Sequence, residues 1–139
     1  MNIYVVFLFA GIIILAALIL FLMNFGRKCN KILDVEGYRA KCLSIEHQLI
    51  KDEPSSYQLS VLNADKLVDQ AMREIGIKGQ TMGERMRNST IKFTDINGFW
   101  TAHKLRNKIA HESDTVVSYE EARYALNSFR KALKDLGAI

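Results

Sequence analysis

Leu59-Ser60-Val61-Leu62-Asn63-Ala64-Asp65-Lys66-Leu67-Val68-Asp69-Gln70-Ala71-Met72-Arg73-Glu74-Ile75-Gly76 is the stretch that decides the fold. Leu59, Leu62, Leu67, Val68, Ala71, Met72 and Ile75 recur at three- and four-residue spacing. On a helix that spacing gathers them on one face, which must be buried against other elements. Gly76 supplies the C-terminal stop.

Working outward, the neighbouring segments are helical too. Upstream, the single proline, Pro54, sits in Lys51-Asp52-Glu53-Pro54-Ser55-Ser56, a clear break. Residues 28–52 are mostly helix formers weakened by Gly37, giving one helix or two short ones. Downstream, Thr81-Met82-Gly83-Glu84 resembles a capping box that opens a short helix ending near Asn88-Ser89-Thr90. Asp95 or Asn97 caps the next helix, which runs through Trp100 to about Glu112. Ser118-Tyr119-Glu120-Glu121 is a second capping box. The helix behind it buries Ala122, Ala125, Leu126, Phe129, Ala132, Leu133 and Leu136, and Gly137 closes it. Only residues 91–93 and 115–117 have strand character, and both are too short to build a sheet. The chain reads as all-α.

The N-terminus has a different composition. Residues 1–26 contain no Lys, Arg, Asp or Glu, and Ile3 to Met23 is almost wholly apolar. At about 1.5 Å per residue this run spans roughly 30 Å, the thickness of a bilayer's hydrocarbon core. A cleaved signal peptide wants a basic start, a shorter apolar run and a small-residue cleavage site. Met1-Asn2 and Asn24-Phe25-Gly26-Arg27-Lys28 offer neither of the end features. The sequence therefore predicts a single transmembrane helix followed by a small helical bundle. Arg27, Lys28 and Lys31 follow the span, so the positive-inside rule puts the N-terminus outside and the rest on the cytoplasmic side. The expected division is a membrane anchor over 1–26, a juxtamembrane helical segment or linker over 27–55, and a cytoplasmic bundle over 56–139. The lipid bilayer is the expected partner of residues 3–23. Cys29 and Cys42 would then be reduced thiols, and neither has metal-ligand spacing.

Charge is unevenly spread. Residues 27–77 hold eight basic and eight acidic side chains. Residues 78–108 hold seven basic (Lys78, Arg85, Arg87, Lys92, Lys104, Arg106, Lys108) against Glu84 and Asp95, a net of +5. Such a local field suits a polyanion, nucleic acid or anionic headgroups; a solvated helical surface is the plainer alternative.

The positive excess leads into Arg106-Asn107-Lys108-Ile109-Ala110-His111. Arginine forks onto phosphate, and histidine exchanges a proton near neutral pH. Winding residues 99–112 at 100° per residue places Ala102, Leu105 and Ile109 inward, with Phe99 at their margin. Trp100, His103, Lys104, Asn107 and His111 lie opposite, with His103 read as a solvated or interface histidine. Arg106 falls roughly 140° from His111, too far for both to reach one phosphate from a straight helix. A tightened or frayed end near Ala110, or a second subunit, would close that gap. Trp100 needs a partner: a stacked base, a sister subunit, or a neighbouring helix of the same chain.

Arg106, Asn107 directly after it, and His111 resemble the Arg-x4–6-His signature of HEPN domains, small helical bundles found in bacterial toxins and RNA-cleaving defence systems. The resemblance covers the hexad and, loosely, residues 56–137. It implies a symmetric homodimer that brings two signatures together, and metal-independent endoribonuclease action with the RNA 2′-hydroxyl as nucleophile. By that resemblance Arg106, Asn107 and His111 form the catalytic set: His111 as general acid or base, Arg106 stabilising phosphate charge, Asn107 orienting the histidine or the scissile group. Trp100, His103, Lys104 and Lys108 are the candidate RNA-contacting residues. No cofactor or metal is implied: His103 and His111 lack zinc-helix spacing, and Gly76, Gly79 and Gly83 form no phosphate loop. The competing reading is a non-enzymatic helical module that binds a protein or nucleotide partner.

Overall fold

The computed structural model describes residues 3–25, 32–112 and 114–139, with side chains in the first helix described at Phe7 and 9–20. Six helices follow in order: α1 (Ile3–Phe25), α2 (Val35–Gln48), α3 (Pro54–Glu74), α4 (Met82–Asn88), α5 (Ile96–His111) and α6 (Tyr119–Asp135). No strand occurs among the described residues, so the all-α expectation holds.

The expectation of a transmembrane helix does not. Among the described residues no helix is long and apolar enough to cross a membrane. The single-pass anchor, the outside N-terminus, the membrane location and the bilayer contact of residues 3–23 are withdrawn with it. Arg27, Lys28 and Lys31, which set the predicted orientation, lie outside the described residues, as does Cys29.

α3 is the central element, in contact with α2, α5 and α6, while α5 and α6 also pack on each other. Its buried set is wider than the apolar stripe and shifted from it. Val61, Ala64, Leu67, Val68, Ala71 and Met72 are buried together with Ser56, Ser60 and Asp65, whereas Leu59 is 52% exposed. A helix gripped by three neighbours buries small and polar residues that a count of apolar positions leaves out. Pro54 opens α3 rather than merely interrupting the chain; its missing N–H is one that the first helical turn leaves unbonded anyway. At the other end Gly76, with φ 83°, allows a Schellman stop, Ile77 N–H bonding Met72 O at 3.0 Å and Gly76 N–H bonding Arg73 O at 3.0 Å.

α6 buries every residue its pattern assigned inward. Its capping box is complete: Glu121 N–H donates to Ser118 Oγ at 3.2 Å, and Ser118 N–H donates to Glu121 Oε2 at 2.9 Å. These bonds hold the Glu121 carboxyl below its ordinary range. α5 turns its N-terminal half into the core more deeply than the helical wheel implies. Phe99, expected at the margin, is fully buried between Phe93 (ring centres 5.0 Å apart) and Phe129 (6.1 Å), both edge-to-face. Truncating Phe99 or Phe129 to Ala removes about 3–5 kcal/mol. Leu105 and Ile109 are only half-buried. α2 lies on α3 through Tyr38 and Cys42. Burial, and then the nearby Glu74 carboxylate, pushes the Tyr38 hydroxyl up to about 12.

Candidate functional site

α3 and α5 meet along a polar seam beside this core. Two carboxylates one helical turn apart on α3, Asp65 and Asp69, each take a basic group from a different helix. Asp69 receives Arg85 of α4, with Nε donating at 2.8 Å, and Arg73 of α3 at 2.6 Å. Arg85 is 3% exposed and also donates to the Gly79 carbonyl. Asp65 receives α5.

Here four side chains close a circuit. Arg106 Nη1–H donates to Asn107 Oδ1 at 3.0 Å, which turns the Asn107 amide nitrogen toward His103 Nε2 at 3.2 Å. An NH2 group there needs an acceptor, so His103 Nε2 carries the lone pair and Nδ1 the proton. His103 Nδ1–H then donates to Asp65 Oδ1 at 2.8 Å. Arg106 Nε sits 3.2 Å from Asp65 Oδ2, an ion-pair contact whose N–H is not aimed along a hydrogen bond. Asp65 is 4% and His103 8% exposed, so this end of the network is buried, while Arg106 and Asn107 are half-buried and reach the surface. His103 is therefore not the solvated histidine expected; both its nitrogens are engaged.

Local helix geometry explains the grouping. Arg106 and Asn107 follow His103 by three and four residues, so they flank it on the wheel by roughly 60° and 40°. Phe99 and Ala102 anchor the same side in the core.

An open groove of about 860 Å³ lies over the circuit, walled by α3, α4 and α5. Of the seven residues singled out in the sequence, Trp100, His103, Lys104, Arg106, Asn107 and His111 border it, and Lys108 does not. Lys108 is exposed outside the groove, on the side of the Glu121 carboxylate. The groove is also bordered by Lys66, Arg73, Arg85 and Arg87, so six basic side chains face two carboxylates.

His111 is the last residue of α5 and is exposed. No hydrogen bond to its ring occurs among the described residues. The helix reaches it without tightening: Glu112 N–H still bonds Lys108 O, four residues back, at 2.9 Å. Thr115 Oγ1 also donates to Lys108 O at 3.3 Å, pinning the following loop there. The bent helix end considered from sequence is thus absent, and the roughly 140° phase difference between Arg106 and His111 stands. They share the groove by its breadth, approaching from different sides.

Trp100 is half-buried and packs on a neighbouring helix of the same chain. Its six-membered ring faces Gly83 of α4, where a Cβ would lie 3.6 Å away. Arg87 lies over the ring, 5.9 Å from its centre.

Among the described residues no group of three or more His, Cys, Asp or Glu side chains is arranged to hold a metal. The residues that sequence reasoning missed are Asp65, Asp69 and Arg85. A signal was present: two acids four residues apart, Asp65 and Asp69, interleave with the apolar residues of α3. No protein-family model, no curated protein and no solved structure matches the chain.

Proposed function

We propose that the chain is a HEPN-like RNA-cleaving domain that works as a homodimer without metal. The observation that carries this reading is that Arg106, Asn107 and His111 border one groove rich in basic side chains, with His111 exposed at its edge. In the reaction the 2′-oxygen attacks phosphorus and the P–O5′ bond breaks, leaving a 2′,3′-cyclic phosphate and a 5′-hydroxyl. A base must take the 2′-hydroxyl proton, and an acid must return one to the 5′-oxygen. Each chain brings one exposed histidine, His111, to this groove. A second His111 across a two-fold axis would complete the acid–base pair and bypass the phase difference within one helix. Arg106 keeps Nη2 for phosphate while its Nη1 and Nε face Asn107 and Asp65. Asn107 and Asp65 act here as positioning residues.

The test is cleavage of single-stranded RNA by the full-length chain in the presence of a chelator. His111→Ala should lower the rate about 10²–10⁴-fold, the usual worth of a general acid–base group, and should leave the fold intact because the side chain is exposed. Undiminished cleavage by His111→Ala sinks the proposal. A non-enzymatic interaction module is the second reading, and the Asp65–His103–Asn107–Arg106 circuit favours it, since side chains that pair with one another across α3 and α5 also serve as a plain structural lock. That reading expects no cleavage by the wild-type chain.

A further inference from the structure

Trp100, Lys104, Asn107 and His111 follow one another at four-, three- and four-residue steps, so they form a single row along α5. All four border the groove. The row is about 16 Å long at 1.5 Å rise per residue. That length corresponds to about five nucleotides at the ~3.4 Å rise of a stacked strand, and to fewer in an extended one. Its far end carries a half-buried indole under an exposed guanidinium, with Lys104 one turn along the same helix and Lys66 of α3 elsewhere on the groove wall.

The arrangement at that end has a physical reading of its own. The edge of the indole lies toward Gly83 of α4, where even an added Cβ would leave 3.6 Å to the ring. Arg87 stands 5.9 Å above the ring centre. A flat ring inserted between the two needs two stacking gaps, about 7 Å at ~3.4 Å each. Arg87 is exposed and long, so it has only to lift by about 1 Å to make that room. Aromatic ring below, guanidinium above and lysines in the same groove for the backbone are what a nucleobase of a single strand requires. A duplex hides its base faces and cannot enter such a slot.

We infer that Trp100 and Arg87 form a nucleobase-stacking subsite, at the opposite end of the α5 row from His111, that selects single-stranded RNA. The inference rests on the cleavage reading for its placement relative to the scissile phosphate, but it is testable without catalysis. Trp100 is the sole tryptophan of the chain, so intrinsic fluorescence reports on this site alone. The probe is a fully 2′-O-methylated eight-nucleotide RNA, which lacks the nucleophile and cannot be cleaved, titrated into the full-length chain.

Saturable quenching is expected. An abasic oligomer of the same length and charge should bind about 5- to 150-fold more weakly, the range for stacking of one base. A blunt RNA duplex should leave the emission unchanged. Trp100→Phe should retain most of the affinity, and Trp100→Ala should bind normal and abasic oligomers alike; the wild-type comparison stands even if that variant is unstable. Equal binding of abasic and normal oligomers overturns the subsite, and so does an emission that no oligonucleotide changes. The two readings fail separately: quenching without any cleavage of natural RNA leaves the subsite and removes the nuclease, whereas cleavage with equal abasic binding does the reverse.

Discussion

Removing the Asp65 carboxylate should unfasten α5 from α3. In Asp65→Ala, His103 Nδ1–H loses its acceptor at 2.8 Å in a site where the imidazole side chain is only 11% exposed. A hydrogen bond to a charged group contributes about 1.5–3 kcal/mol. Arg106 also loses its counter-ion at 3.2 Å, but its side chain is 35% exposed and can turn to water. Its share is therefore well below the 3–5 kcal/mol of a fully buried broken pair. The combined loss is about 2–4 kcal/mol. Urea unfolding of the full-length chain measures it, and at about 1–3 kcal/mol per molar the midpoint should fall by roughly 1–3 M with the slope unchanged. The pairing itself is read from a double-mutant cycle with His103→Ala. If the two groups hold each other, the double variant is more stable than the sum of the singles predicts by about 1–3 kcal/mol. Additivity within about 0.5 kcal/mol would refute the coupled circuit.

Other parts of the fold make separate predictions. The carboxyls of Asp95 and Glu121 are both held below their ordinary values, chiefly by the backbone N–H groups of Gly98 and Ser118 that they accept. A depressed folded value means stability that is complete above the ordinary carboxylate range and lost as pH falls through the folded one. Asp95→Asn with Glu121→Gln should therefore flatten the acid limb of Tm against pH below about pH 4; an unchanged limb would assign acid sensitivity elsewhere. Two glycines bordering the same region should respond in opposite ways in thermal melts. Gly79 has φ 157°, and a Cβ there would meet the Arg85 backbone nitrogen at 2.8 Å, so Gly79→Ala should destabilise by more than about 1 kcal/mol. Gly83 is helical with 3.6 Å of room against Trp100, so Gly83→Ala should be neutral or stabilising by up to about 1 kcal/mol. A similar loss at both positions would mean that the α4–α5 contact is not as described.

What the sequence revealed depended on how locally each feature is encoded. The end of α6 and both of its caps were legible because Ser118, Glu121 and Gly137 act within their own turns. The α4 opening was legible only in part: Thr81 Oγ1 accepts from Glu84 N–H, but the Glu84 carboxylate returns to Gln80 N–H at 2.7 Å instead of to Thr81. Features set by helix crossing were not legible. Which side of α5 faces the core depends on Phe93 and Phe129, distant in sequence, and so Phe99 looked marginal. His103 looked solvated because its partner, Asp65, lies 38 residues away on another helix. The hexad is legible as residue types, but Asp65, the acid that faces Arg106, is not. The apolar N-terminal run reads as a span from composition alone, whereas no helix among the described residues is long and apolar enough to cross a membrane.

The positive charge of the groove also divides once partners are known, and the division fixes a measurable slope. Arg85 lies inside the protein against Asp69, and Arg106 faces Asp65, so two of the six groove cations are matched by the two groove carboxylates. A bound single strand then meets an excess of four positive charges, three at Lys66, Arg87 and Lys104 and one left over where Arg73 and Arg85 share Asp69. Single-stranded nucleic acid releases about 0.7 counterion per neutralised phosphate. The logarithm of the binding constant for the uncleavable oligonucleotide should therefore fall against the logarithm of salt with a slope near −3. If Asp65 and Asp69 released their arginines to the ligand, all six cations would count and the slope would approach −4 or steeper. The Asp65→Ala variant separates these cases, because it frees Arg106 from its counter-ion: its slope should steepen by about 0.7 while wild-type stays near −3. Identical slopes for the two proteins would show that Arg106 was already committed to the ligand, and that the circuit does not hold it.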